Sequence, residues 1–374
     1  MNMIESLKES FCTINDPRID RTKKHKLVDI IIIALFSMMC GMKGWEEIEL
    51  FANEHIDWFK TFLELQNGIP SHDTFYRVFS KINPKEFNNA LLRWVETLNI
   101  NVEGKVVAID GKTLRGSFDT ATGKGALHMV NAWTEDNNLV LGQVSVESKK
   151  NEITSIPILL RLLELKGAIV TIDAIGCQKE IVNIIREENE AEYVLALKKN
   201  QPTLYNEVED LFKVVEQNQG YITDTASSVE KGHGRIEQRT CTCIELPKQL
   251  DYAAHGWKDL NTVGKIHSIR DEKGKIEEQT RYFISSLPCN AKQIAHAVRT
   301  HWGVENCLHW RLDVTYQEDA SRIRKGHAPE NMAILRRLAF SLVKARAPHN
   351  MSVKRTMLRM VMNWGFAEKY IFSK

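Results

Sequence analysis

The strongest constraint on this chain is a pattern that occurs twice. In KVVAIDGKTLRG, the apolar run Val106–Ile109 is closed by Asp110; in GAIVTIDAIGC, the run Ala168–Ile172 is closed by Asp173. Such runs are too short for a helix and β-branched enough for buried strands. Asp is seldom buried unless it is paired or bound to a metal. Two core strands therefore each deliver one carboxylate at the carboxyl end. On neighbouring strands, the pair forms a hard, oxygen-rich site suited to Mg²⁺ or Mn²⁺. A metal pair calls for one more acid.

The 374 residues, 43% of them hydrophobic, are enough for a large core and two or three domains. A net charge of +2 neither demands nor excludes nucleic acid, so local basic clusters must decide. Seven cysteines without a CxxC pair suggest neither a disulfide framework nor structural zinc. Reduced thiols and a cytoplasmic protein are the simpler expectation. The charged first ten residues do not read as a signal peptide, and Leu27–Cys40 falls short of the ~20 residues that span a bilayer. No membrane partner is expected.

Residues 1–100 read as helical. Leu27–Met42 is apolar nearly all round, which predicts a central bundle helix. GIPSHDTFYRVF carries a helix-start signal and then a short helix exposing Arg77, with Lys81 just beyond; a DNA recognition helix is one reading and an ordinary bundle helix the other. The hydrophilic break at 99–103 marks a boundary. Beyond it the order is strand, hairpin about Asp136–Asn138, helix, strand, helix, strand, helix, which implies a mixed α/β sheet with flanking helices. Residues 219–288 break the rhythm and read as a β-rich insertion holding a basic flexible loop, KGHGRIEQR. Residues 289–374 return to helix. The expected divisions are 1–100 (helical, DNA-binding), 101–218 (first part of a catalytic core), 219–288 (insertion) and 289–374 (last part of the core).

A third acid is available in RTHWGVENCLHWRLD, where Glu305 sits one helical turn from His301, Trp302 and His309. The spacings are 173 − 110 = 63 and 305 − 173 = 132 residues, the second gap containing the insertion. With AIDGKTLRGS, VTIDAIGCQKEI, YVLALKKNQP, GHGRIEQR and HWGVENCLHWRLDVTYQEDASRIRKGHAPENMAILRR in this order, the chain resembles insertion-sequence DDE transposases of the ISAs and H-repeat-associated group. The resemblance covers roughly residues 10–345 and is related to the insertion-sequence-four group. It implies a ribonuclease-H-like fold with a β insertion before the last acid, and Asp110, Asp173 and Glu305 as a catalytic triad holding two Mg²⁺ ions, with Mn²⁺ able to substitute. Asp110 would bridge the ions while Asp173 and Glu305 each hold one. The related group's Tyr, Arg and Lys positions hold Val298, His301 and Leu312 here, so those roles do not carry over.

The expected partner is DNA, both element ends and target, with a homodimer as the active complex. No organic cofactor is expected. The predicted DNA contacts are Lys112, Arg115, Lys149, Lys198, Lys199, Arg235, Arg239, Arg299, His301, Arg322 and Arg324, with Trp302 as a stacking face for an unpaired base. Asp313, Glu318 and Asp319 are competing acids, read as salt-bridge partners. Two other readings stay open: a metal-dependent nuclease on the same fold without strand transfer, and an inactive, element-derived DNA-binding protein.

Overall fold

A computed structural model describes residues 3–118, 123, 125–136, 138–146, 152–217, 220–232, 234–247, 252, 255–348 and 350–372. Six helices come first: α1 (Met3–Phe11), α2 (Leu27–Met39), α3 (Trp45–Glu54), α4 (Ile56–Phe59), α5 (His72–Phe79) and α6 (Pro84–Thr97). Strands β1 (Val106–Thr113), β2 (His128–Thr134) and β3 (Leu139–Val146) follow. Then come α7 (Glu152–Arg161), β4 (Ile169–Ile172), α8 (Lys179–Asn183), β5 (Glu192–Leu197) and α9 (Pro202–Gln217). Four long strands are β6 (Thr223–Gly232), β7 (Arg235–Glu245), β8 (Thr262–Glu272) and β9 (Lys275–Ser285). Last are α10 (Ala291–Val304), α11 (Trp310–Val314), α12 (Ala328–Arg346), α13 (Val353–Met362) and α14 (Trp364–Phe372).

By internal packing the chain divides into two units. One comprises Met1–Asn101, Gly111–Lys149 and Glu305–Lys374; the other comprises Val102–Asp110 and Lys150–Val304.

In the first unit, α2 is buried along almost its whole length because LVDIIIIALFSMM has no polar face to turn outward. It packs against α12, α1 and α3. Helix α12 is also enclosed from Ala328 to Val343 apart from Glu330, and its Ser341 hydroxyl accepts from the Val140 amide of β3 at 3.1 Å. Strands β2 and β3 form the antiparallel hairpin expected from the alternation, irregular at Ala132/Trp133. Helix α5 buries Phe75, Val78 and Phe79, with Phe79 stacked on Trp45 at 4.9 Å. Its exposed Arg77 is paired with Asp73 at 3.1 Å.

In the second unit the strand order is β1-β4-β5-β9-β8-β7-β6. The first three strands are parallel and the remainder run antiparallel. The continuous apolar runs of β1 and β4 are buried, as suits parallel strands covered on both faces. Side-chain alternation divides the faces of β9. Tyr282 meets Tyr205 and Phe212 of α9, while Phe283 joins Ile294, Ala297 and Val298 of α10. The stretch expected to be a basic flexible loop is instead strand: Lys231 and Gly232 end β6, Arg235–Arg239 begin β7, and Gly232 pairs with Arg235. His233, between them, lies outside the described residues.

Candidate active site

Asp110 and Asp173 are placed by strand register. Val106 to Ile109 pair in parallel with Ile169 to Ile172, so each Asp follows the last pair, Ile109 with Ile172. The two carboxylates thus lie at the same edge of adjacent strands. Asp110 is half-buried and Asp173 exposed. Asp173 caps the turn Ala174–Gly176, its carboxylate accepting from the Ile175 amide at 3.0 Å. That turn lies so close to β4 that a Cβ on Gly176 would collide with the Ile172 side chain. The next parallel strand, β5, ends at the same edge in Lys198 and Lys199, both exposed.

Two further residues hold this edge. The Asn200 side-chain amide donates to the Ala174 carbonyl at 2.7 Å, and that of Gln201 donates to the Cys177 carbonyl at 2.9 Å. They tie the loop after β5 to the turn after Asp173. Both lie in the KKNQP motif, where charge alone draws attention to the lysines.

Several candidates on α10 and β7 have other partners. His301 Nδ1 lies 3.3 Å from the Thr171 hydroxyl, two residues before Asp173. Burial lowers its pKa to about 4 against the opposing hydrogen bond, so the ring is neutral near pH 7. It therefore brings no positive charge to a phosphate. Arg239 is nearly buried, paired with Glu237 at 2.5 Å and Glu230 at 3.3 Å. Arg299 takes the same Glu230 at 2.6 Å. Trp302 is covered by the Arg281 guanidinium 4.6 Å from its ring centre, with that of Arg239 at 6.0 Å. A cation thus already rests on the ring that the sequence reading offers to an unpaired base. Arg281 was missed because nothing in an alternating strand pattern singles it out. Arg235 is exposed at the start of β7.

In the first unit, Glu305 is exposed and opens a π-helical turn, Glu305–His309. Such turns often mark functional positions. Lys112 sits deep rather than at a DNA-facing surface. Its ammonium donates to Asp313 at 2.8 Å and Asp319 at 2.9 Å, and lies 3.7 Å from Glu318. Glu318 also pairs with the fully buried Arg337 at 2.7 Å. Burial alone would raise the Glu318 pKa, but Arg337, Lys112 and Arg336 outweigh it and hold the carboxyl below the usual range. The three competing acids are thus salt-bridge partners. Gly116 lies so close to the Asp319 and Ser321 carbonyls that a Cβ would collide with both. Arg324 donates to the Gly116 carbonyl at 3.0 Å and covers Phe118, while Arg115 and Arg322 are exposed. Lys149 lies outside the described residues.

The two aspartates therefore share an edge in the second unit, and Glu305 belongs to the first. Among the described residues, no three His, Cys, Asp or Glu side chains gather in a group that could hold a metal ion. Nor is any described helix long and apolar enough to cross a membrane.

Comparison with known proteins agrees along the chain. Residues 102–342 match the family model described as "Transposase DDE domain", and residues 8–95 match "DDE_Tnp_1-associated". A protein of Escherichia coli O157:H7 named "Putative transposase YncI" is 40% identical, covering 99% of this chain and 95% of its own. Another, from E. coli K12, named "H repeat-associated putative transposase YhhI", is 37% identical over 96% of each chain. The chain belongs to the DDE transposase family, in its H-repeat-associated group.

Proposed function

We propose that the protein cuts the ends of its own DNA element and joins them to a target, using Asp110, Asp173 and Glu305 with two Mg²⁺ ions on a ribonuclease-H-like sheet. The observation that carries this reading is the register of β1 and β4, which brings Asp110 and Asp173 to one edge. Two carboxylates there suit a hard divalent cation, and the exposed Asp173 leaves the edge open to a polymer substrate. Glu305 enters as the third acid through the family pattern.

When bound, the ions supply an activated water and stabilise the departing oxygen of a phosphodiester. The chain's own residues hold and orient the substrate. Lys198 and Lys199, exposed beside the carboxylates, meet backbone phosphates and make binding salt-sensitive. Asn200 and Gln201 fix the turn that carries Asp173. Arg115, Arg235 and Arg322 extend the contact surface. Lys112, His301, Arg239, Arg299 and Arg324 are left out of it, because their groups are neutral or engaged as described above. Residues 1–100 grip the element ends, the active assembly is a homodimer, and the protein works in the cytoplasm.

The test is a strand-transfer assay with pre-cut element ends, supercoiled target and Mg²⁺. Joined products are expected, and they should disappear with EDTA. Cleavage of intact ends without joining would identify a nuclease. Binding without either reaction would identify a DNA-binding relic.

A further inference from the structure

Seven cysteines are spread along the chain, yet two that are 289 − 243 = 46 residues apart bring their sulfurs together. Cys243 Sγ on β7 lies 3.0 Å from Cys289 Sγ, two residues before α10. A disulfide needs ~2.05 Å, so closing the bond requires an approach of about 1 Å. The surrounding frame is already docked. The Ala291 amide, at the start of α10, donates to the Asp224 carboxylate at 2.8 Å. Cys241, Cys243, Ile266, Phe283, Ala291 and Ile294 share one apolar cluster, with Cys289 packed against it. The two thiols differ in access. Cys243 is fully buried, and burial holds its thiol well above the usual range, whereas Cys289 is half-exposed.

We propose that Cys243 and Cys289 are a reversible oxidation site that takes a peroxide as its co-reactant and staples β7 to the entry of α10. The accessible Cys289 sulfur attacks hydrogen peroxide. An S–O bond forms, the O–O bond breaks, and one water leaves with the thiol proton and one from the peroxide. Cys243 sulfur then attacks the Cys289 sulfenic acid. The S–S bond forms, the S–O bond breaks, and a second water carries off the Cys243 proton. Overall, two thiols and one hydrogen peroxide give one disulfide and two waters.

The experiment treats the full chain with a small excess of hydrogen peroxide, blocks remaining thiols under denaturing conditions, and reads mass and peptide linkage. The expected product has 7 − 2 = 5 blockable thiols and a Cys243–Cys289 linked peptide. It melts higher because the 46-residue loop is closed, and dithiothreitol reverses both changes. Cys241→Ser should still form the link. Cys243→Ser and Cys289→Ser should not, and their unchanged melting when reduced would show that the fold is intact. The proposal fails if all seven thiols stay blockable. It also fails if Cys241 replaces either partner, if only Cys12 or Cys307 reacts, or if Cys289 proceeds to the sulfinic acid without a link.

Discussion

Asp110 and Lys112 stand two positions apart on β1 and have opposite fates. Asp110 follows the last register pair at the sheet edge, while Lys112 is enclosed among Asp313, Glu318 and Asp319. Asp110→Asn keeps size and shape but removes the anion that the proposed metal site requires. Cleavage should fall by at least ~10³-fold, the equivalent of several kcal/mol of lost charge stabilisation. Binding to element ends, read by gel shift, should stay within a few-fold. Equal loss of both would remove Asp110 from the proposed metal site. Lys112→Met takes this cation from the partly exposed Asp313 and Asp319 while the buried Glu318 keeps Arg337, and stability in chemical denaturation should fall by ~1.5–3 kcal/mol, the loss of charged hydrogen bonds. An unaltered midpoint with weaker DNA binding would return Lys112 to the DNA surface. His301 gives a pH signature. Its folded pKa, about 4, lies below the ordinary 6.5, so the unfolded chain binds more protons between those values. Its contribution to stability is complete above pH 6.5 and is lost as pH falls towards 4. His301→Gln should flatten that part of the stability–pH curve.

The β6–β9 blade separates cations that look alike in sequence. Arg235 and Arg239 are four positions apart on the same face of β7, but Arg235 is exposed while Arg239 is held by two glutamates beside Trp302. Arg235→Ala should reduce the slope of log binding constant against log salt by ~0.9. Arg239→Ala should leave the slope unchanged and lower the melting temperature. The blade also shows what the sequence conceals. Strand β7 was partly legible because buried and half-buried positions alternate over Arg239–Cys243, and β9 because its inner end, Tyr282–Ser285, is buried throughout. TDTASSVEKG of β6 carries no such signal, since its side chains are almost all exposed and no face needs to be apolar. The runs of β1 and β4 and the apolar α2 were legible because full burial writes itself into composition. The Lys112 cluster was not, because its partners lie about 200 residues away and charge alone does not say whether a lysine is solvated or enclosed. The break after Val304, where α10 gives way to a π turn, likewise left no mark in the helical spacing.

On the scale of the whole chain, the motif-rich stretch 322–337 serves architecture. Gly326 approaches the Ser80 carbonyl too closely for a Cβ and has a positive φ of 57°. Asn331 donates to the Phe79 and Ile82 carbonyls at 2.8 and 2.9 Å, holding the end of α5. Replacing Gly326 by Ala should therefore loosen α5, seen as faster amide exchange over residues 72–82 with little change in β4 and β5. The enclosed pair α2 and α12 has a consequence for biosynthesis. The ribosome finishes α2 some three hundred residues before it makes the helix that covers it. Until then a strip of isoleucines, leucine and methionines remains wet, each side chain forgoing roughly 1.5–3 kcal/mol of burial. A nascent polypeptide released before residue 328 should precipitate or occupy a chaperone, so an early stop codon would be expected to yield aggregate rather than a soluble amino-terminal fragment.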